Sequence, residues 1–267
     1  TFGDAVTDDA NLVLAVLEQA VRCGAAVANY VRAERFLTAG GRIRAIEAID
    51  ERTGSTVEIR ARTFVNATGI SAGALAQVAG SGGLRLRPSK GVHLVVPAGR
   101  LPIAVGVVIR GRDGRDVFAV PRGNVILIGT TDTPCADDGP PAVDDADVEY
   151  LLAALSDAFD AGIERQDVVA AFAGLRPLLD GGSSRSTDLS RRHRIHVGES
   201  GLVTIAGGKL TTFRRMASDV ADVILGMRRP RQAPGLGAPS RGSIERPRVL
   251  ASRIGLEPAC VRRALSV

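Results

Sequence analysis

Arg176, Lys209 and His93 are the side chains whose type and setting point to chemistry. Arg176 stands between the apolar run Phe172-Ala173-Gly174-Leu175 and Pro177. Its planar fork suits a carboxylate or a phosphate, and the competing reading is a structural ion pair with one of the chain's aspartates. Lys209 lies in Gly207-Gly208-Lys209-Leu210-Thr211-Thr212, after an apolar segment and before a helical one. Backbone N–H groups at the positive end of a helix are placed there to meet an anion or an electron-rich ring edge. The spacing is not that of a Walker A loop, and a glycine-rich helix start with a solvated lysine is the plainer alternative. His93 sits in Ser89-Lys90-Gly91-Val92-His93-Leu94-Val95-Val96. Strand alternation puts Val92 and Leu94 on one side and His93 and Val95 on the other. An imidazole so placed serves either as a general base near neutral pH or as a hydrogen-bonded structural group. Gly129-Thr130-Thr131-Asp132-Thr133 offers three hydroxyls and a carboxylate. It is compatible with phosphate binding, with ordering of an active site, or with a plain Asx or ST turn.

Other constellations carry less. His193 and His196 are three apart, but Arg191, Arg192 and Arg194 beside them oppose a cation, so no zinc site is expected. Cys23, Cys135 and Cys260 are too few and too scattered for a disulfide framework, which fits a reducing compartment. Aromatic residues make up 3% of the chain and tryptophan is absent, leaving few platforms on which nucleic-acid bases could stack. The formal net charge of +5 is uneven. Positions 227–267 hold nine arginines and two glutamates, so the rest of the chain is slightly acidic and nucleic-acid binding by the whole domain loses its support. Lys90 and Lys209 are the only lysines among 34 basic residues, and both have glycine neighbours, which singles them out for attention.

The elements that must position these residues follow from pattern. Asp8 or Asp9 caps a helix with Leu12, Val13, Val16, Leu17 and Ala20 on one side, and Gly24 ends it. Val27 to Val31 is expected to be a short strand, and Arg35 to Arg62 a β-excursion turning at Arg52-Thr53-Gly54-Ser55. Thr63 to Ala67 reads as a strand, followed by Thr68-Gly69 and a helix over Ser71 to Ala79. Short strands then dominate: His93 to Val96, Ile103 to Val108, Val117 to Val120 and Val125 to Ile128. Apolar residues at helical spacing mark Asp144 to Phe159, and Val168 to Phe172 reads as a further strand. Ile195 to Val197 and Leu202 to Ala206 return to a sheet, and a helix runs from Phe213 to Leu225. The expected fold is therefore α/β with an inserted antiparallel β-rich domain. Its divisions are 1–83 and 201–226 for the cofactor-binding part, 84–200 for the substrate-binding part, 227–248 for a linker, and 249–267 for a final short helix. No run of apolar residues reaches the length of a membrane span, and the longest, Ala104 to Ile109, reads as a buried strand.

The ordered motifs resemble the FAD-dependent glycerol-3-phosphate dehydrogenase family, within the glycine-oxidase-like flavoproteins. They run through Asp8-Asp9-Ala10, Asn29-Tyr30-Val31, Val65-Asn66-Ala67-Thr68-Gly69 and Ser89-Lys90-Gly91-Val92-His93. Ile128-Gly129-Thr130-Thr131-Asp132-Thr133, Gly174-Leu175-Arg176-Pro177 and Ser190-Arg191 follow, and Gly207-Gly208-Lys209-Leu210-Thr211-Thr212 closes the series. The resemblance implies a Rossmann-like FAD-binding fold of the glycine-oxidase or D-amino-acid-oxidase type. It implies oxidation of sn-glycerol 3-phosphate to dihydroxyacetone phosphate by hydride transfer to flavin N5, with electrons passed to a quinone or another acceptor. By the same resemblance His93 and Arg176 are catalytic, and Arg176, Arg191, Lys209 and Thr211 bind the substrate. Val31, Thr68, Gly69, Gly207, Gly208, Lys209 and Leu210 contact FAD. A cytoplasmic protein resting peripherally on the inner membrane face, with room for a homodimer, belongs to the same expectation. So does the rival reading of an amine or amino-acid oxidase, or of an inactive metabolite-binding remnant.

Three departures qualify the resemblance. No GxGxxG fingerprint occurs in the chain, although the family carries one for the FAD pyrophosphate. Asn11 stands where arginine is common, and Phe213 where tyrosine is usual. These features, with a cap reduced to its first helix, lead to the expectation of an internal fragment lacking the amino-terminal dinucleotide unit, and a poor FAD binder on its own.

Overall fold

The computed structural model describes residues 6–135, 139–180 and 192–226. Arg191, Cys260, the linker expected over 227–248 and the cap helix expected over 249–267 lie outside the described residues.

Helix α1 (Asp9–Arg22) starts where the sequence places a cap. Asp8 accepts the backbone N–H of Asn11 at 3.0 Å and its side-chain amide at 2.8 Å, which satisfies a donor the first helical turn leaves open. Three strands follow, β1 (Val31–Ala39), β2 (Arg42–Asp50) and β3 (Thr56–Arg60), paired antiparallel in that order. The strand expected over Val27 to Val31 therefore begins only at Val31. Its body is polar because β1 is an edge whose long side chains meet β2 through ion pairs such as Arg35–Glu47 at 2.7 Å, so hydropathy alone misplaces it.

Strand β4 (Val65–Asn66) leads through a 3-10 turn into helix α2 (Ala72–Val78). A six-stranded antiparallel sheet comes next: β5 (Leu86–Pro97), β6 (Val107–Arg110), β7 (Asp116–Arg122), β8 (Val125–Gly129), β9 (Thr133–Pro134) and, after helix α3 (Asp145–Ala158), β10 (Ala170–Leu179). Its main order is β10-β5-β8-β7-β6, with β9 beside β5. Strands β11 (His193–Val197) and β12 (Val203–Gly207) and helix α4 (Phe213–Leu225) finish the described chain. β12 pairs antiparallel with β11 and parallel with β4. The six-stranded sheet is thus inserted, in sequence, between two strands that are neighbours in space, and the fold is α/β with an antiparallel β-rich insertion.

The main core lies on one face of this sheet. Val92, Leu94 and Val96 of β5, Val117 and Ala119 of β7 and Ile126 and Ile128 of β8 are fully buried against Val148, Leu151 and Leu155 of α3. Period-two alternation on the strands and helical spacing on α3 produce this together. α3 is fastened at its N-terminus by a reciprocal Asp144–Asp147 capping box. Lys90 of β5 adds ion pairs to Asp144 at 2.8 Å and to Asp147 at 2.6 Å. The scarce lysine that drew attention in the sequence is therefore a fastening between sheet and helix.

Three strands of the insertion differ clearly from their expected bounds, and β5, expected over His93 to Val96, begins at Leu86 and runs through Pro88 and Gly91. Pro102 and Gly106 keep Ile103 to Gly106 out of the ladder, and Val105 is exposed rather than part of a buried strand. β10 starts at Ala170 and runs to Leu179, straight through Arg176-Pro177. A proline is tolerated because β10 is the sheet's edge and Pro177 faces Pro88, so neither has an N–H to give. This extension brings Leu179 into a small cluster with Ala72, Leu84 and Ala206, which ties the end of β10 to α2 and β12.

Candidate active site

A cleft of about 960 Å³ opens where β10 meets the end of β12. On one side it is lined by Leu175, Arg176, Pro177 and Leu178, and on another by Gly207, Gly208, Lys209 and Leu210. Gly114, Arg115, Asp116, Phe118, Thr130 and Asp132 make up the sheet side, and Asp9 reaches in from the start of α1.

Arg176 owes its position to register and to a glycine. It lies opposite Ser89, with Gly174 opposite Gly91 and Phe172 opposite His93. Side chains alternate along both strands, so these three pairs share one face, the face away from the main core. The guanidinium lies over Gly91 and crosses β5. Its Nη2 donates to Thr130 Oγ1 at 2.8 Å and to the Thr131 carbonyl at 3.1 Å, and Nη1 stands 3.6 Å from Asp132 Oδ1. Arg176 is thus held by a carboxylate and a turn, and it lies on the cleft wall.

The Gly129–Thr133 turn spends its polar groups on order. Thr131 Oγ1 accepts the Val92 N–H at 3.0 Å, Asp132 accepts from the Ser89 hydroxyl, and the Asp132 carbonyl accepts from Arg115 Nη1 at 2.7 Å. Arg115 in turn lies 5.0 Å from the centre of the Tyr150 ring and pairs with Asp113 at 2.5 Å. Arg176 of β10 and Arg115 of the turn before β7 thus both bond this segment. Of the three uses left open for this motif, ordering of the site is the one its hydrogen bonds serve.

His93 lies on the same sheet face as Arg176, two residues from Gly91. Its ring stacks on Phe172 with centroids 5.2 Å apart and planes 11° from parallel. Burial pushes its pKa below the usual 6.5, the Arg176 charge pushes the same way, and Asp9 opposes them. The imidazole is therefore held toward its neutral, proton-accepting form.

The glycine turn follows the carboxyl end of β12, where open α/β sheets place their ligands. Gly207 and Gly208 have φ of +77° and +82°, a region other residues enter only with strain. A Cβ on Gly207 would stand 2.7 Å from the Arg192 carbonyl, and one on Gly208 2.6 Å from Met216 Sδ. Bare backbone is thus required at this wall. Lys209 and Thr212 close the turn, the Thr212 hydroxyl donating to the Lys209 carbonyl at 2.9 Å. Behind it His193 meets Asp219 at 2.9 Å, fastening β11 to α4.

The structure therefore gathers Arg176, Gly207, Gly208, Lys209 and Leu210 on one cleft, whereas His93 shares the sheet face of Arg176 but is not among the residues lining the cleft. Thr211 occupies the adjoining 3-10 turn and does not line the cleft. Thr68 and Gly69 lie at the end of β4, where the Thr68 hydroxyl donates to Asn66 Oδ1 at 2.7 Å, and Val31 opens β1 in a separate sheet. None of these three lines the cleft. Sequence reading passed over Arg115, Phe118, Phe172 and Asp9. Arg115 is one arginine among many in a hairpin turn and carries no local signal. Phe172 was open to notice, since aromatics are rare in this chain and it lies in the run leading to Arg176.

Comparison with known proteins matches residues 1–214 to the family described as FAD dependent oxidoreductase. The chain is 36% identical over 237 residues to a glycerol-3-phosphate dehydrogenase of Mycobacterium leprae (strain TN), covering 88% of this chain and 40% of the relative. It is 34% identical over 227 residues to an aerobic glycerol-3-phosphate dehydrogenase of Staphylococcus epidermidis, covering 82% and 40%. Among solved structures, the glycerol-3-phosphate dehydrogenase of Bacillus halodurans complexed with FAD superposes with a TM-score of 0.77 at 34% identity, over 97% of this chain and 53% of that one. Glycine oxidase from Geobacillus kaustophilus, at 23% identity and a TM-score of 0.57 over 83% and 55%, shares the fold. The chain spans about 40% of the length of the curated relatives it matches.

Proposed function

The chain belongs to the FAD dependent oxidoreductase family, and on that premise we propose that it takes part in oxidising sn-glycerol 3-phosphate to dihydroxyacetone phosphate. The observation that carries this reading is the cleft itself. Arg176, Lys209 and Arg115 line the same space as a side-chain-free turn at the end of a strand. A phosphate dianion calls for several cationic donors, whereas a simple amino acid needs one clamp for its carboxylate.

The residues present fit the ring end of the cofactor. Gly207 and Gly208 present bare backbone to the cleft, since a Cβ on either would collide with Arg192 or Met216 behind the turn, and the turn lies at the carboxyl end of β12, beside the end of β4 that carries Thr68 and Gly69. In this reading Gly207 to Leu210 border the flavin ring, Thr68 and Gly69 adjoin its dinucleotide part, and Val31 meets the adenine portion through its backbone. Bound FAD supplies the acceptor for the two electrons and the hydrogen that leave C2 of the substrate.

The chain's own groups do the rest. Arg176 and Lys209 hold the phosphate, with Arg191 and Thr211 assigned to the same substrate. Arg176, steadied by Thr130 and Thr131, fixes where C2 lies relative to the glycine turn. A ring nitrogen of neutral His93 takes the proton from the C2 hydroxyl as the carbonyl forms. The electrons go on to a quinone or another acceptor, in a cytoplasmic protein that meets the membrane at its surface. No helix among the described residues is long and apolar enough to cross a membrane.

A substrate panel tests the reading. With an artificial electron acceptor present, glycerol 3-phosphate is expected to turn over, while glycine and sarcosine are not. Turnover of the amino acids alone would establish the oxidase reading instead, and turnover of none, with the phosphate ester still binding, would establish a metabolite-binding remnant.

A further inference from the structure

A general base must be held in one orientation, and such a histidine is commonly oriented by a carboxylate on its second nitrogen. His93 has no such partner: among the described residues no group hydrogen-bonds either ring nitrogen. What fixes its plane is packing on both sides. Phe172, directly across on β10, lies nearly parallel to the imidazole at 5.2 Å. On the other flank Gly129 of β8 is also directly across, and a Cβ there would stand 2.7 Å from His93 Cγ. The imidazole thus occupies a slot that only glycine leaves open on one side and that an aromatic ring closes on the other. Phe118 of β7 faces Gly129 in turn, so the row Phe118, Gly129, His93, Phe172 crosses four adjacent strands.

We propose that Phe172 is the positioning residue of His93, its ring setting the plane of the imidazole and shielding it from water in place of a hydrogen-bonded carboxylate. This rests on the reading of His93 as the base of the proposed reaction. Phe172 is 50% exposed and lies on the sheet face away from the main core. The groups facing His93 from neighbouring elements are Arg176 on β10, which opposes its protonation, and Asp9 on α1, which favours it. Burial is the largest influence, and the Phe172 ring is a direct source of that burial. Exposing the imidazole by removing the ring therefore restores some of its basicity while loosening its plane. The base then becomes easier to protonate and less often aligned with the hydroxyl it serves.

Phe172→Ala removes the ring, and Phe172→Tyr keeps it. The full chain, labelled at histidine and titrated by NMR with His93→Gln to assign the signal, reports the imidazole directly and needs neither substrate nor flavin. His93 is expected to titrate below the ordinary histidine value in the native protein and to move up by about half a pH unit or more in Phe172→Ala. Phe172→Tyr is expected to keep the native value. With flavin and glycerol 3-phosphate, Phe172→Ala is expected to slow the reductive step about tenfold while KM changes less than about twofold, and Phe172→Tyr to recover the rate. A His93 titration that Phe172→Ala leaves unmoved would overturn the proposal, as would a tyrosine variant that behaves like the alanine one. If native protein is not reduced by glycerol 3-phosphate, the proposed substrate fails, and the NMR titration still decides what Phe172 does.

Discussion

Gly91 and Arg176 share one volume on the open face of the sheet: a Cβ at Gly91 would stand 2.6 Å from Arg176 Cζ. The guanidinium reaches the Thr130–Asp132 turn only by lying across β5, and it can lie there only because the crossing point has no side chain. A backbone position thus determines where a cation points into the cleft. Gly91 does not need a left-handed conformation, so its requirement is steric alone.

Gly91→Ala is therefore expected to displace the Arg176 side chain while leaving the strand in place. Losing a charge-assisted contact to a phosphate costs about 1.5–3 kcal/mol, which is a KM raised roughly 10- to 100-fold. Steady-state kinetics read this, with circular dichroism to show an unchanged fold. A KM within twofold of native would mean that Arg176 does not contact the substrate from this position.

Arg176→Lys keeps the charge and loses the fork. One Arg176 nitrogen now bonds both Thr130 and Thr131 while another faces Asp132, a set that an ammonium on a flexible stem cannot reproduce together with a bidentate anion. The expected loss in kcat/KM is about 100-fold, close to that of Arg176→Ala. A lysine variant near native activity would show that charge alone suffices.

Lys90→Met tests the fastening of α3. It strands the buried Asp147 carboxylate, and a loss of about 2 kcal/mol is expected, or roughly 5 °C in Tm for a chain of this size. The pH window follows from both partners. The hydrogen bonds that Lys90 donates to Asp144 and Asp147 raise its pKa, so its contribution is complete below 10.5 and is lost as pH climbs through the raised value. Lys90 holds the Asp144 carboxyl below its usual 3.8, so that contribution is present above 3.8 and is lost as pH falls through the lowered value. The stability difference between native and Lys90→Met should be flat near neutrality and shrink at either extreme. A difference that does not shrink in acid or alkali would remove the ion pairs as its cause.

Gly207→Ala is expected to weaken flavin retention. The substitution meets the Arg192 carbonyl, a backbone atom with little room to give, at a residue whose φ is +77°. Flavin content per chain after gel filtration should fall below that of native protein prepared alongside. Equal retention would place the ring away from this turn.

Much of this arrangement was legible in the chain. α4 begins and ends where its apolar spacing and Gly226 require, and α3 follows Asp144 as its capping residues indicate. The glycine turn stood out as free backbone at a helix start, and Arg176 as a cation set between an apolar run and a proline. What escaped was register. Nothing in the run of residues says that Phe172 lies opposite His93, or Gly174 opposite Gly91, because those pairings join segments some eighty residues apart. β1 and β10 escaped for related reasons: one interleaves charged residues with its apolar ones at an edge, and the other passes through a proline that faces a second proline across the pair. Lys90 shows the converse, since its rarity marked it for chemistry and the fold uses it to hold a helix.

Anaerobic titration of the flavin-loaded protein with sn-glycerol 3-phosphate, followed in the visible spectrum, tests the central claim most directly. Bleaching of the oxidised flavin bands to completion with about one equivalent of substrate, and its loss in His93→Gln, is the predicted result. Flavin bands that persist with excess glycerol 3-phosphate, in protein that dithionite still reduces, would contradict it.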